Sequence, residues 1–345
     1  MEKTAPVIQQ TRRSFLKLSG LLGLGAMSTA LLPVASAEAL LFSKDEYKVT
    51  KTRMVMGTFV SMTAIHPSRD EAEQAIGLAF AEIDRLNALL TRFATSSAVG
   101  NLNASGKLEK APGEIIKLIS RSLYFYHETK GAFDITVKPL LDLYKTSFDA
   151  GQIPAEKEID AKLKLIGSEK LILRGDKIEF MDTDMSITLD GIAKGYIVDR
   201  ASHLLQACGI SNHLINAGGD IRTCGSAAKG RAWRVAVEDP EKSKEYPQVI
   251  SLRDGAIATS GNYEIYYDRE KIFHHIVNGQ TGLSPQISTS VTVTAPTVME
   301  ADALSTSVFV MEPVMGIKYI NSRAGCECFV IAKDGSSVRS MGWHT

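Results

Sequence analysis

Cysteine is scarce in this chain, and the four present, Cys208, Cys224, Cys326 and Cys328, form no C-x-x-C pair. With no histidine cluster beside them, a zinc or iron–sulfur centre is excluded. Cys326 and Cys328 are spaced C-x-C, a poor geometry for a mutual disulfide. Cys208 and Cys224 could pair in an oxidising compartment, but the simpler reading of all four is small buried apolar residues. Net charge is also absent: 39 basic residues balance 39 acidic ones. Neither a basic stripe for nucleic acid nor an acidic tail stands out, so function must be sought in sites. Internal repeats and low-complexity linkers are missing too. What is present is 345 residues with 44% hydrophobic content, ample for a large core.

The chain also lacks a long uninterrupted apolar run. The nearest approach, Leu18 to Leu32, is broken by glycine and serine and, at roughly 15 residues, is short for a membrane span. It follows Arg12-Arg13-Ser14-Phe15-Leu16-Lys17 and precedes Ala35-Ser36-Ala37. An arginine pair, an apolar run and small residues in that order read as a twin-arginine export signal over residues 1–37. Cleavage after Ala37 leaves a mature domain of residues 38–345. An uncleaved anchor in the inner membrane is the alternative. The expected location is the periplasm.

Residues 49–65 alternate and read as a strand containing Gly57; residues 69–90 read as an amphipathic helix, followed by a polar loop. Residues 113–130 read as a second helix, GAFDITV (131–137) as a loop leading to a strand, PLLDLY as a short helix, and 154–166 as another helix. Two strands flank the turn Gly175-Asp176. Residues 185–209 read strand, glycine loop, helix. The second half reads as strands and tight turns, interrupted by a helix over 298–312. The expected class is α+β, with largely antiparallel sheets and packed helices.

That last helix poses a problem. Asp302 and Thr306, four residues apart, share one face of a segment that is otherwise mostly apolar. A buried carboxylate is costly unless it is paired or holds a metal, and two oxygens on one face suit a hard cation such as Mg²⁺. The plainer alternative has Asp302 capping the helix and Thr306 bonding back to a helix carbonyl. In LDGIAKGY (189–196), a loop–helix junction can aim a carbonyl at a metal or amides at an anion. NAGGDI (216–221) and ATSGNYE (258–264) are phosphate nests or ordinary turns. In HHIVNGQTG (274–282) two adjacent histidines point to opposite faces if the backbone is extended, so at most one serves a site.

Taken in order, MGTFV, GAFDITV, DGIAKGY, NAGGD, ATSGNYE, HHIVNGQTG and EADALSTSVFV make the chain resemble the ApbE family of FAD:protein FMN transferases, from about Met56 to Val310. The resemblance implies a T-fold-related single catalytic unit. It implies Mg²⁺, with FAD as substrate, and transfer of FMN to a Thr or Ser hydroxyl of an acceptor flavoprotein with release of AMP. Such acceptors are electron-transfer proteins of the inner membrane or periplasm. The metal ligands it implies are the Gly191 carbonyl, Asp302 and Thr306. The flavin site would use Met56, Phe93, Ala132, Phe133, Asp134, Thr188, Lys194 and Ile276, and His275 would be the general base. Phe93, Asn262 and Asn278 depart from the family pattern, which more often has Tyr, Asp and Asp. Two other readings stay open: an FAD pyrophosphatase using water, and a flavin carrier without turnover.

Overall fold

A computed structural model describes residues 38–43 (backbone only), 45–240, 246–263, 265–268 and 272–343; residues 1–37, which the sequence pattern reads as an export signal, lie outside them. In chain order the elements are strands β1 (Glu38–Ser43), β2 (Glu46–Val55) and β3 (Thr58–His66), helices α1 (Arg69–Leu90) and α2 (Ala98–Ser105), strand β4 (Lys107–Leu108) and helix α3 (Gly113–Glu128). A 3₁₀ turn (Ile135–Val137) leads into α4 (Lys138–Asp149) and α5 (Glu156–Leu163), then β5 (Leu171–Arg174) and β6 (Lys177–Phe180). Helix α6 (Ala193–Ala207) precedes β7 (Asn212–Ala217), β8 (Asp220–Cys224), β9 (Trp233–Ala236), β10 (Val249–Leu252), β11 (Ala256–Gly261) and β12 (Ser288–Ala295). Helices α7 (Val298–Val310) and α8 (Pro313–Asn321) and strands β13 (Glu327–Ala332) and β14 (Ser337–Arg339) complete the fold.

Nine strands form one sheet in the order β1-β2-β3-β7-β8-β11-β12-β13-β14, and every neighbouring pair in it is antiparallel. Strand period two sorts the side chains between its faces. Val60, Met62, Ala64, Ile215, Ala217, Val291 and Val293 join the main core, beneath α1, α6 and α7. Ile221, Ile257 and Phe329 point the other way and pack with Val235 and Ile250 of the β9–β10 hairpin and with Trp343. Strand β12 is covered on both faces, which is why its residues are almost continuously buried. The α+β antiparallel expectation is correct. Among the described residues no helix is long and apolar enough to cross a membrane.

Several local expectations need correction. Residues 49–65 are not one strand but a hairpin: Met56 and Gly57 take φ of 54° and 75°, the double positive φ of a type I′ turn. The polar loop after α1 contains α2. Ser97 caps its start by accepting from Gly100 N at 2.8 Å, and Gly106 ends it at φ 73°. GAFDITV leads into a 3₁₀ turn and a full helix rather than a strand, because Asp134 accepts from Thr136 N at 2.8 Å and turns the chain at once. The residues before Leu189 form no ladder strand; Asn103 instead pairs with both the N–H and the carbonyl of Ile187. The histidine segment contributes only an isolated bridge, Tyr266 to His274. Helix α8 was not expected at all.

Candidate functional site

Helix α7 explains the composition of its sequence. It lies against α6, β11 and β12, so nearly its whole circumference is buried. Its start is capped twice. Thr297 accepts from Glu300 N at 3.2 Å, and the buried Asp199 of α6 accepts from Val298 N at 3.0 Å and Met299 N at 2.9 Å. Asp302 is therefore not the helix cap. The hydroxyls that bond back to helix carbonyls are Ser305 and Ser307, not Thr306. Both plain explanations of the Asp302–Thr306 pair thus fail.

The pair faces α6. Asp302 is 5% exposed, and its Oδ2 accepts from Gly195 N at 3.1 Å, in the first turn of α6, where amide dipoles favour negative charge. Gly195 makes that approach possible, since a Cβ there would lie 2.4 Å from Val298 O. Gly191 is close to Thr306: a Cβ on it would sit 3.0 Å from Thr306 Oγ1 and 3.4 Å from the Phe133 ring. Thr306 Oγ1 also lies 3.3 Å from Ser260 Oγ, which bonds Ser305 Oγ at 2.8 Å. The three implied metal ligands are thus neighbours, with ATSGNYE bracing them from β11.

A second carboxylate stands beside this cluster. Asp220, at the start of β8, is 1% exposed, and its Oδ2 lies 3.6 Å from Lys194 Nζ. Burial raises the pKa of Asp302 well above the carboxylate range, and the neighbouring Asp220 raises it further, against the pull of Lys194. Burial lifts Asp220 to about 6, opposed mainly by Lys194. The arrangement fits a hard divalent cation, because oxygen donors converge at a buried spot where a bound cation would favour the ionised carboxylate that burial disfavours. Among the described residues no three His, Cys, Asp or Glu side chains gather as a metal group. Ligation would rest on one carboxylate, a hydroxyl and a main-chain carbonyl, completed by phosphate and water.

The two histidines divide as their adjacency suggests, although not in a strand. His274 is fully buried and committed: Nε2 lies 2.9 Å from Pro285 O, Nδ1 accepts from Ile276 N at 3.3 Å, and its ring meets Phe309 edge-on. His275 is only part-buried, with Nδ1 3.5 Å from Ile265 O. A proton on Nδ1 would leave Nε2 free to accept. Loss of hydration, then His274, pushes its pKa down to about 4, while Asp190 and Lys194 are near enough to act on it with opposite signs. The ring is neutral at pH 7.

The remaining predicted residues form two groups. Thr188 donates its N–H to Ile135 O at 2.8 Å, tying the DGIAKGY loop to the GAFDITV segment. Ala132 is part-buried and Phe133 is core, edge-on to Phe125. Asp134 is engaged structurally by Thr136 and Ser168, and burial raises its pKa. It borders a 270 Å³ depression with Gly131, Gly279 and Gln280. Ile276 is buried beside the histidines. Phe93 is 77% exposed, one face covered by the Arg92 guanidinium at 4.4 Å, while Arg92 holds Asp190 at 2.9 Å. Met56 is at the β2–β3 tip; two residues on, Thr58 meets the Gly218 backbone so closely that a Cβ there would lie 2.4 Å from Thr58 Oγ1. NAGGD is therefore a hairpin turn. A 480 Å³ depression near Trp233 and Arg231 holds none of these residues.

Asn278 accepts from Gln280 N at 2.8 Å, a task its amide oxygen performs as a carboxylate would. Asn262 Oδ1 is buried without a partner. Sequence reasoning missed Asp220, Ser260 and Asp199 as individual residues. The first two lay inside noted motifs; Asp199 carried no local signal.

All four cysteines are free thiols, three of them buried, in keeping with the apolar reading. The ApbE family's sequence model matches residues 56–330. An FAD:protein FMN transferase of Escherichia coli K12 is 31% identical over 299 residues, covering 83% of this chain and 84% of that protein. Another, from Treponema pallidum, is 27% identical over 317 residues, covering 85% and 87%. The crystal structure of an ApbE protein from Thermotoga maritima superposes with a TM-score of 0.78 at 27% identity, covering 85% of this chain and 97% of the other. The flavin transferase ApbE from Vibrio cholerae, at 24% identity, shares the fold with a TM-score of 0.73 over 89% and 98%.

Proposed function

The chain belongs to the ApbE family, and we propose that it is an FAD:protein FMN transferase. In this reading it moves the FMN half of FAD onto a Thr or Ser hydroxyl of an acceptor flavoprotein and releases AMP. One observation carries the reading: Gly191, Thr306 and Asp302 converge beside Lys194, with a neutral His275 close enough to feel the same charges.

Each residue then has a task. Gly191, Asp302 and Thr306 would hold Mg²⁺, which supplies charge neutralisation to the pyrophosphate and the departing phosphate. Phe93 offers an exposed ring for stacking, and Lys194 an ammonium for phosphate. His275 takes the proton of the acceptor hydroxyl as that oxygen attacks the FMN phosphorus; the bond from that phosphorus to the AMP oxygen breaks. Positioned base catalysis contributes roughly 10²–10⁴-fold. The reading places the enzyme in the periplasm, exported by a twin-arginine signal, where electron-transfer acceptors are met.

The test is incubation with FAD, Mg²⁺ and an acceptor domain, followed by a denaturing gel viewed for flavin fluorescence. A fluorescent acceptor band that His275→Ala fails to produce supports the proposal. Intact FAD after long incubation with competent acceptors refutes it in favour of a carrier, and FMN plus AMP without a band favours the pyrophosphatase.

A further inference from the structure

Arg92 lies in the loop between α1 and α2, beside Phe93, and Asp190 lies directly before Gly191. The two are 98 residues apart in sequence, yet Arg92 Nε donates to Asp190 Oδ2 at 2.9 Å. The guanidinium, 17% exposed, also stands 4.4 Å from the centre of the Phe93 ring. An arginine suits both tasks, because its flat fork bonds a carboxylate at its edge while a ring stacks on its face. Phe93 is 77% exposed, and among the described residues no other Phe, Tyr or Trp is as open. The backbone that carries it is well fixed. Ser97 Oγ donates to Thr91 O and accepts from Gly100 N, and a Cβ on Gly100 would lie 2.0 Å from Ala94 O, so α2 is seated on the loop. Asn103 of α2 then grips the N–H and the carbonyl of Ile187. The loop is thus tied to the segment that carries Gly191 twice, by Asn103 and by Arg92. The first tie holds backbone alone. The second reaches the face of the ring.

We propose that Arg92 is a positioning residue of the flavin site: clamped by Asp190, it backs the Phe93 ring and holds it as a platform on which a flat ring of FAD stacks. A ring as exposed as this one has several rotamers open to it. A guanidinium fixed at its far edge by a carboxylate selects one of them before the ligand arrives. Without the clamp, binding FAD must also order the ring, and affinity falls. This inference rests on the flavin-transfer reading, because FAD is the flat ligand that the platform would meet.

The experiment is FAD titration by flavin fluorescence in Mg²⁺, with thermal melts alongside, on the full chain and on Arg92→Met, Asp190→Ala, Phe93→Ala and the Arg92→Met, Phe93→Ala double variant. Arg92→Met should weaken FAD binding by about three- to fivefold, the scale of ordering one side chain, and Asp190→Ala should weaken it in the same direction. Melting temperatures should stay within about 2 °C of the parent, because exposed ion pairs contribute little to stability. In the Phe93→Ala background, adding Arg92→Met should change affinity by less than about twofold, because the Arg92 effect passes through the ring. A direct bond from Arg92 to a phosphate of FAD predicts the same loss with the ring or without it, and that result overturns the proposal. A purely structural role predicts a lower melting temperature with unchanged affinity, which overturns it equally, as does unchanged affinity in Asp190→Ala. If the parent binds no FAD, the flavin-transfer reading falls and this inference with it. If the parent binds and either Phe93→Ala or Arg92→Met is unaffected, only the inference falls.

Discussion

Gly77 and Gly195 both lie inside helices, and the structure predicts opposite outcomes when each becomes alanine. At Gly77, on the exposed face of α1, a new Cβ meets nothing within 4 Å. The substitution should stabilise by the propensity difference, about 0.5–1 kcal/mol. At Gly195 the same methyl would lie 2.4 Å from Val298 O, 2.6 Å from Val298 C and 2.8 Å from Met299 Cα. These are backbone atoms held by the Asp199 cap, so they cannot swing aside as a side chain would. To reach ordinary contact, α6 and α7 must separate by roughly an ångström, an overpacking cost of about 1–3 kcal/mol that the propensity gain only partly offsets. The separation also stretches the 3.1 Å bond from Gly195 N to Asp302. A misplacement of about 1 Å in a reacting site can cost on the order of 10²-fold in rate. Gly195→Ala should therefore melt earlier than the parent and lose FAD turnover by at least tenfold, while Gly77→Ala melts later at unchanged activity. Parallel thermal melts and rates of FAD consumption decide it. If Gly195→Ala is as stable and as active as Gly77→Ala, the close crossing of α6 and α7 is wrong, and the placement of Asp302 with it.

Asp302→Ala should leave the melting temperature without metal unchanged or higher, since it removes a buried carboxylate, yet abolish the rise seen on adding Mg²⁺; at a hundred times Kd that rise corresponds to about 2.7 kcal/mol, and its persistence would contradict the ligand assignment. Phe93→Ala should weaken FAD binding by about tenfold, the scale of a lost ring–ring contact, with no change in melting because the side chain is 77% exposed; equal affinity by fluorescence titration would remove Phe93 from the site. His213 is fully buried, its ring 2.8 Å from Ser202 Oγ, and burial lowers its pKa from 6.5 to about 4. The unfolded chain binds a proton between those values and the native state does not, so the stability from a neutral His213 is full above pH 6.5 and is lost as pH falls toward 4. Relative to His213→Gln, the parent should gain about 3 kcal/mol between pH 4 and pH 7 in urea unfolding; a constant difference refutes it. The lowered pKa of His275 likewise predicts a transfer rate that is flat from about pH 6 to 8, whereas a falling limb centred near 6.5 would mean an unperturbed base.

What could be read from the sequence, and what could not, follows from the range of the interactions. The antiparallel sheet was legible because Val60, Met62 and Ala64 alternate locally, and α1 because its apolar positions recur at helical spacing. Helix α2 was not: its eight residues carry little apolar signal, and its caps, Ser97 and Gly106, resemble loop residues until the structure shows what they bond. The same limit applied at the site. Asp302 and Thr306 were conspicuous because both sit in one helix, so their shared face needs only the helical period. Gly191, His275 and the flavin residues came from the order of motifs, which carries family information that no local rule contains. Asp220 is visible in the sequence as the acid after two glycines, a pattern that suits a phosphate nest or an ordinary turn; it stands at the end of a turn. Its partners, Lys194 and Asp302, are distant in sequence, and they meet it only because β8 pairs with β7 and β11 while α6 and α7 cross at Gly195. A buried charge acquires its meaning from neighbours that tertiary packing supplies.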